Sequence, residues 1–204
     1  MLGFHAILNN PQLGYLPLAQ LLIQEKVPYL QLRMPEATHQ ELQDTAKQIV
    51  QLTRGTSSLL ILHDAPQLAK EIGAGGVHLS RRGGITYQQA REIVGKELLV
   101  GLSCLTVQQV IEAKSLKPDY IGMGPIFATP HNPDTPIGLE GLKQMLQVNS
   151  LHCLAIGGID LNNMSAVLST GIKSLCVIRQ LNDSHNPRAV LEQIKGLMPF
   201  WMGE

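Results

Sequence analysis

The chain of 204 residues is long enough for one core and short for two, and with 44% hydrophobic but only 4% aromatic residues that core must be aliphatic. Sixteen basic and sixteen acidic residues cancel, which argues against nucleic acid or an anionic membrane as the main partner and makes any anion site a local one. Cys104, Cys153 and Cys176 are too few and too scattered for a disulfide framework or a zinc centre. The opening Met1-Leu2-Gly3-Phe4-His5 lacks the basic start and long apolar run of a signal peptide, and no stretch is apolar for long enough to span a bilayer. A reduced, cytoplasmic setting is the expectation.

Short aliphatic runs then alternate with longer amphipathic stretches. A strand over 3–9 (GFHAILN) is followed by a helix over 17–26, and a strand over 29–34 (YLQLRM) by a helix over 38–54. In that helix Thr38 and Glu41 form a capping box, and Leu42, Ala46, Ile49 and Val50 share one face. The pattern continues with strand 59–64 (LLILHD) and helix 65–73, then strand 76–80 (GVHLS) and helix 86–94. Strand 98–103 (LLVGLS), helix 106–115, strand 120–125 (YIGMGP) and helix 138–148 come next. Strand 153–158 (CLAIGG), helix 160–170, strand 174–179 (SLCVIR) and helix 186–198 complete the series. Glycines in Gly73-Ala74-Gly75-Gly76 and Gly171-Ile172 sit where a helix turns back into a strand and supply C-caps.

Eight such units form either an open doubly wound sheet or a closed barrel. Every strand is apolar throughout, including the first and the last, as expected when none is an edge. The expectation is an α/β fold, a (β/α)8 TIM barrel, as one domain over 1–204.

In such a barrel chemistry is built from strand ends and the loops after them. The polar strand ends are Asn9, Gln31, Arg33, His63, Asp64, His78, Ser80, Ser103, Thr129, His131 and Arg179. Gly157-Gly158-Ile159-Asp160 carries the strongest local signal: a strand runs into two glycines and a helix capped near Asp160, whose backbone amides suit a phosphate. A tight turn is the plain alternative, but its place after strand seven matches the usual phosphate site of these barrels. Arg179, ending strand eight, would fork onto the same phosphate or else pair with a rim carboxylate. Gln31 and Arg33 lie two apart on one strand and share a face; an arginine in a barrel mouth calls for an anion or an internal salt bridge, Asp64 being the nearest candidate. Of His63 and Asp64 at most one faces the centre, and Asp64 would hold Mg²⁺ or cap the next helix. His78 reads as a structural histidine and Cys104 as small packing. The loop from Gly124 to Pro133, stiffened by proline and polar at its tip, suits a cover over a ligand.

At Leu30-Gln31-Leu32-Arg33, Leu62-His63-Asp64, Gly76-Val77-His78-Leu79, Gly101-Leu102-Ser103, Asp119 to Thr129, Pro136 to Gly141 and Ala155-Ile156-Gly157-Gly158-Ile159 the sequence resembles the thiamin phosphate synthase and TenI superfamily. These motifs occur in family order over nearly the whole chain. The resemblance implies a transferase of thiamin biosynthesis that joins hydroxymethylpyrimidine pyrophosphate to thiazole phosphate and releases pyrophosphate. The leaving group departs before the thiazole nitrogen attacks, so the family's main task is to stabilise pyrophosphate charge, with cations and Mg²⁺ aimed at the leaving oxygens. It further implies that Gln31 and Arg33 contact the pyrimidine pyrophosphate, Asp64 the Mg²⁺, Ser103 and Thr129 the substrates, and Gly157, Gly158 and the end of strand eight the thiazole phosphate, which makes Arg33 and Ser103 the catalytic candidates. His63, His131 and Arg179 join the substrate-binding candidates as polar groups at strand and loop ends. Small homo-oligomers are common among such relatives.

The departures from the family pattern fall on the same chemistry. Met34-Pro35 stands where a glutamate and lysine usually follow the arginine, and Arg81-Arg82-Gly83 where the second Mg²⁺ carboxylate is expected. Asn132 replaces a lysine, His63 an asparagine and Arg179 a small serine. These features are similar to synthase-like domains fused to Nudix hydrolases, which makes a Nudix hydrolase a candidate partner. The alternatives are a non-synthase module binding thiazole phosphate or thiamin phosphate, for salvage or regulation, and a thiazole tautomerase. The tautomerase is disfavoured because Pro125 stands where its histidine belongs.

Overall fold

The computed structural model describes residues 3–130 and 132–202. Its strands are β1 (Phe4–Leu8), β2 (Tyr29–Leu32), β3 (Leu59–His63), β4 (Gly76–Leu79), β5 (Leu99–Cys104), β6 (Tyr120–Met123), β7 (Cys153–Ala155) and β8 (Leu175–Val177). They close into an all-parallel barrel in chain order, β1 pairing with both β2 and β8, so no strand is left as an edge. The (β/α)8 expectation holds. None of the helices is long and apolar enough to cross a membrane, among the described residues.

Strand parity separates two environments. Ala6, Leu8, Leu30, Leu32, Leu60, Leu62, Val77, Val100 and Ile121 face outward and pack with the helices in one aliphatic core. Burial of each leucine there stabilises by roughly 1.5–3 kcal/mol. The inward positions carry a separate cluster of Ile7, Tyr120, Leu154 and Cys176, with polar groups above them. His5, wholly buried, lies against Tyr29 and Tyr120 with ring centroids 5.8 and 6.0 Å away. Gly101 makes room for the Tyr120 ring, since a Cβ there would lie 2.1 Å from it. On the outward side Phe4 stacks on Trp201 at 4.7 Å, and the Phe4 amide donates to the Trp201 carbonyl.

The helices are α1 (Tyr15–Gln24), α2 (His39–Thr53), α3 (Pro66–Ile72), α4 (Tyr87–Val94), α5 (Val107–Leu116), α6 (Gly138–Val148), α7 (Met164–Leu168), α8 (Arg179–Asn182) and α9 (Pro187–Leu197). The predicted capping box is present on α2: Thr38 Oγ1 accepts from the Glu41 amide, and Glu41 Oε2 accepts from the Thr38 amide at 2.7 Å. Most strands are one to three residues shorter than expected, and three further differences have a local reason. Helix α1 starts before Pro17, which sits in its first turn where a missing N–H costs nothing, and it stops ahead of Lys26 at φ 56°. Asp160 does not cap α7; its carboxylate accepts from the amides of Asn162 and Asn163 in a turn, and the helix opens only at Met164. Arg179 does not end β8 but opens the short α8, which is too brief to show a helical period in sequence. Buried Asn182 ties α8 to β1 by accepting from the Asn9 amide and donating to the Ile7 carbonyl, each at 2.8 Å.

Candidate active site

A cavity of about 220 Å³ opens at the C-terminal ends of the strands. Its wall carries three guanidinium groups, Arg33, Arg81 and Arg82, against one carboxylate, Asp134. Ile7, Ile156 and Ile178 give the same cavity an apolar side. A cationic rim over an apolar floor suits a heterocycle bearing phosphate.

Gln31 and Arg33 both line this cavity, as their two-residue spacing requires. Arg33 does not pair with Asp64: its Nη1 donates to Asn9 Oδ1 at 2.8 Å. Asn9 thus holds the guanidinium without neutralising it. Gln31 Nε2 lies 3.0 Å from His63 Nδ1, and His63 Nε2 lies 3.3 Å from Asp64 Oδ2. Burial lowers the His63 pKa, with Asp64 opposing the shift and Arg33 adding to it, so the ring is neutral at pH 7. One tautomer satisfies the chain: Gln31 donates to Nδ1, and Nε2–H points to Asp64.

Ser103 lines the cavity from the end of β5 and lies 2.9 Å from His78 Nε2, whose Nδ1 is 3.1 Å from the Tyr120 hydroxyl. Burial drives the His78 pKa well down, helped by nearby His63 and His5, so a neutral imidazole positions the serine hydroxyl. The structural reading of His78 was half of its role: it also lines the cavity. Cys104 is buried and its thiol is pushed up to about 12, consistent with packing rather than nucleophilic attack.

The double glycine turns between this cavity and a smaller recess of about 20 Å³, lined by Gly157, Gly158, Thr129 and Arg179. Gly157 and Gly158 adopt φ 94° and 67°, a region that side chains rarely enter. The loop after β6 packs directly on them: the Gly157 carbonyl accepts from the Ile126 and Phe127 amides, and a Cβ on Gly158 would lie 2.6 Å from the Phe127 carbonyl oxygen. Among the described residues, no acceptor takes the amides of Gly158 and Ile159. The recess has room for about one water as it stands. Arg179 is exposed beside it, so swinging that side chain to admit a phosphate disrupts no packing.

Asp64 is the exception among the expected site residues, because it does not line the cavity. Nor does it cap the next helix, whose N-cap is Ala65. Its Oδ1 accepts from the Ser80 amide and its Oδ2 from the Ser80 hydroxyl, both at 2.6 Å. A Cβ on Gly83 would lie 2.4 Å from its carboxyl carbon, so the loop after β4 is folded down on it. No group of three or more acidic, histidine or cysteine side chains suited to a metal ion occurs among the described residues. A lone carboxylate already committed to two Ser80 donors and facing the His63 N–H does not fit the Mg²⁺ that the family pattern implies, since that ion draws on free oxygen ligands.

Gln31, Arg33, His63, Ser103, Thr129 and Gly157 therefore meet in one cavity, and Gly158 and Arg179 lie in the recess next to it. His131 lies outside the described residues. Asn9, Ser80 and Asp134 join the site without an assigned role from sequence, and Arg81, Arg82 and Asn132 join it at positions that the sequence marks as departures from the family pattern, the arginines in place of a metal carboxylate. Asn9 and Ser80 showed the right signal, a polar group ending an apolar strand. Asp134 had none, because it comes from far along the loop after β6.

The family model for thiamine monophosphate synthase matches residues 9–181. The chain belongs to this family. It is 34% identical over 174 residues to a thiamine-phosphate synthase of Vibrio parahaemolyticus, covering 84% of this chain and 85% of that one. It is 35% identical over 179 residues to the thiamine-phosphate synthase of Dictyoglomus thermophilum, covering 87% and 78%. The solved thiamine phosphate pyrophosphorylase from Pyrococcus furiosus superposes with a TM-score of 0.85 at 26% identity, over 96% of this chain and 95% of that one.

Proposed function

We propose that this chain is a thiamine-phosphate synthase, joining a pyrimidine-methyl diphosphate to a thiazole phosphate. The observation that carries the reading is the pairing of a cationic cavity with an adjoining glycine turn at the mouth of a barrel of this family. In the reaction the bond between the pyrimidine methylene and its diphosphate oxygen breaks, and the electron pair leaves with the diphosphate. The lone pair of the thiazole nitrogen then forms the new carbon–nitrogen bond. Charge grows on the leaving oxygens, so the groups that matter are those aimed at them before the bond breaks.

Arg33, oriented by Asn9 but not neutralised by it, is the cation we assign to the leaving diphosphate. Gln31 and neutral His63 form the polar wall beside it. Ser103, oriented by His78, supplies a hydroxyl at the reacting end of the cavity. Gly157, Gly158 and Arg179 receive the thiazole phosphate, which sets the nitrogen in line with the methylene carbon.

Incubating purified protein with both substrates and measuring thiamine phosphate tests the reading. Formation that falls strongly in a Ser103→Ala variant is the expected outcome. No product above a protein-free control would overturn it. The poor metal fit of Asp64 favours a second reading, a module that binds the phosphorylated heterocycles without turnover. Calorimetric binding of thiazole phosphate in the absence of product formation would select it.

A further inference from the structure

The loop after β4 carries Arg81 and Arg82, and the loop after β6 carries Asp134; the three meet across the cavity mouth. Arg81 Nη2 pairs with Asp134 Oδ2, and Arg82 Nη2 lies 2.6 Å from Asp134 Oδ1. Each carboxylate oxygen takes one guanidinium, so the two cations are already spaced to grip two oxygens of one anion. The side chains are unequally covered: Asp134 is 14% exposed, Arg81 28% and Arg82 60%. Asn132 Oδ1 accepts from the Asp134 amide and steadies the loop. Arg81 and Arg82 stand next to Ser80, whose donation to Asp64 fixes where the arginine pair begins.

We propose that Arg81 and Arg82 replace the metal ion of this site: the chain grips a diphosphate with its arginine pair and needs no divalent cation, and Asp134 holds the pair in place until the diphosphate displaces it. This rests on the diphosphate substrate of the proposed function. Two guanidinium groups bring the same formal charge as one divalent ion, and their planar forks match phosphate oxygens without requiring ligand carboxylates. The one carboxylate that a metal would use is folded under Gly83 and bonded to Ser80. A diphosphate, more highly charged than a carboxylate, outcompetes Asp134 for the same two donors. Arg33, just past β2 and lining the same cavity, then adds a third cation for the leaving group.

The test is calorimetric titration of the full chain with inorganic pyrophosphate, at one ionic strength, with either EDTA or magnesium present. Pyrophosphate should bind in EDTA, and magnesium, which complexes free pyrophosphate, should leave the apparent affinity unchanged or lower it. An Arg81→Gln/Arg82→Gln double variant should bind pyrophosphate at least about tenfold more weakly while its affinity for thiazole phosphate changes less than about twofold. Asp134→Asn should tighten pyrophosphate binding by a few-fold, roughly the strength of a competing exposed ion pair. Binding seen only with magnesium, or a double variant as tight as the native chain, would overturn the proposal. Metal-free pyrophosphate binding by a chain that makes no thiamine phosphate would leave this proposal standing and remove the synthase reading instead.

Discussion

The two halves of the barrel mouth are built by different means. Above β7 and β8 the working surface is backbone, with Gly157 and Gly158 in left-handed conformations and the loop after β6 pressed against them. Above β2 to β4 it is side chain: Arg33, Arg81 and Arg82 are aimed by Asn9 and Asp134, while Asp64, after β3, has become a clamp for the loop. A backbone cradle depends on φ and close approach, so it survives exchange of the residues around it. A side-chain cradle can be rewritten residue by residue. The departures from the family pattern lie mostly on the second kind of surface, and the glycine motif is kept.

Acid should erase this contrast, because both halves stand on the same neutral lumen. Burial pushes His5 down to about 4 and drives His78 well down. Above pH 6.5 neither residue affects stability; below it the unfolded chain binds protons that the folded chain refuses. Stability should then fall by about 1.4 kcal/mol per pH unit for each histidine. His5 alone accounts for a loss on the order of 3 kcal/mol between pH 6.5 and 4. Denaturant midpoints across that range check the slope, which His5→Leu should reduce; a flat native profile would refute the neutral lumen.

Within neutral pH the halves should separate. Gly158→Ala places a methyl against the Phe127 carbonyl and forces a strained φ, costing about 1–3 kcal/mol. It should weaken thiazole phosphate binding by about a hundredfold if the amides are the receptor. Pyrophosphate binding should stay nearly native; equal loss of both ligands would merge the two sites into one. Arg33→Ala should do the reverse and lose about tenfold or more in pyrophosphate affinity, the worth of a charge-assisted hydrogen bond, while melting like the native chain. Unchanged affinity would end its assigned role. Ser80→Ala should have the smallest effect. It removes one of the two Ser80 donors to Asp64 and should cost about 1 kcal/mol and a few-fold in pyrophosphate affinity, with thiazole phosphate unaffected.

The barrel was legible because its eight strands are apolar throughout and parity does the rest. The cavity was legible wherever a polar group ends an apolar strand, which is how Gln31, Arg33, His63 and Ser103 were found. Asp64 shows why that rule runs out: its left-handed φ of 51° turns the carboxylate away from the cavity and under the next loop, and strand periodicity ends before that residue. Asp134 was out of reach because its position depends on how a long loop folds back, as the pairing of Thr129 with Asn132 records. Helix α8 was hidden for a simpler reason, being only four residues long.

Beneath the cavity the lumen is stopped by the Tyr120 ring, laid across the space left by Gly101 and backed by His5 and Tyr29. The barrel is therefore a cul-de-sac. Whatever enters must go out by the same door, and two reactants arriving there must be followed by two products leaving there. Turnover in such a vessel is governed by traffic at the rim, where the loops that admit one guest also detain the other.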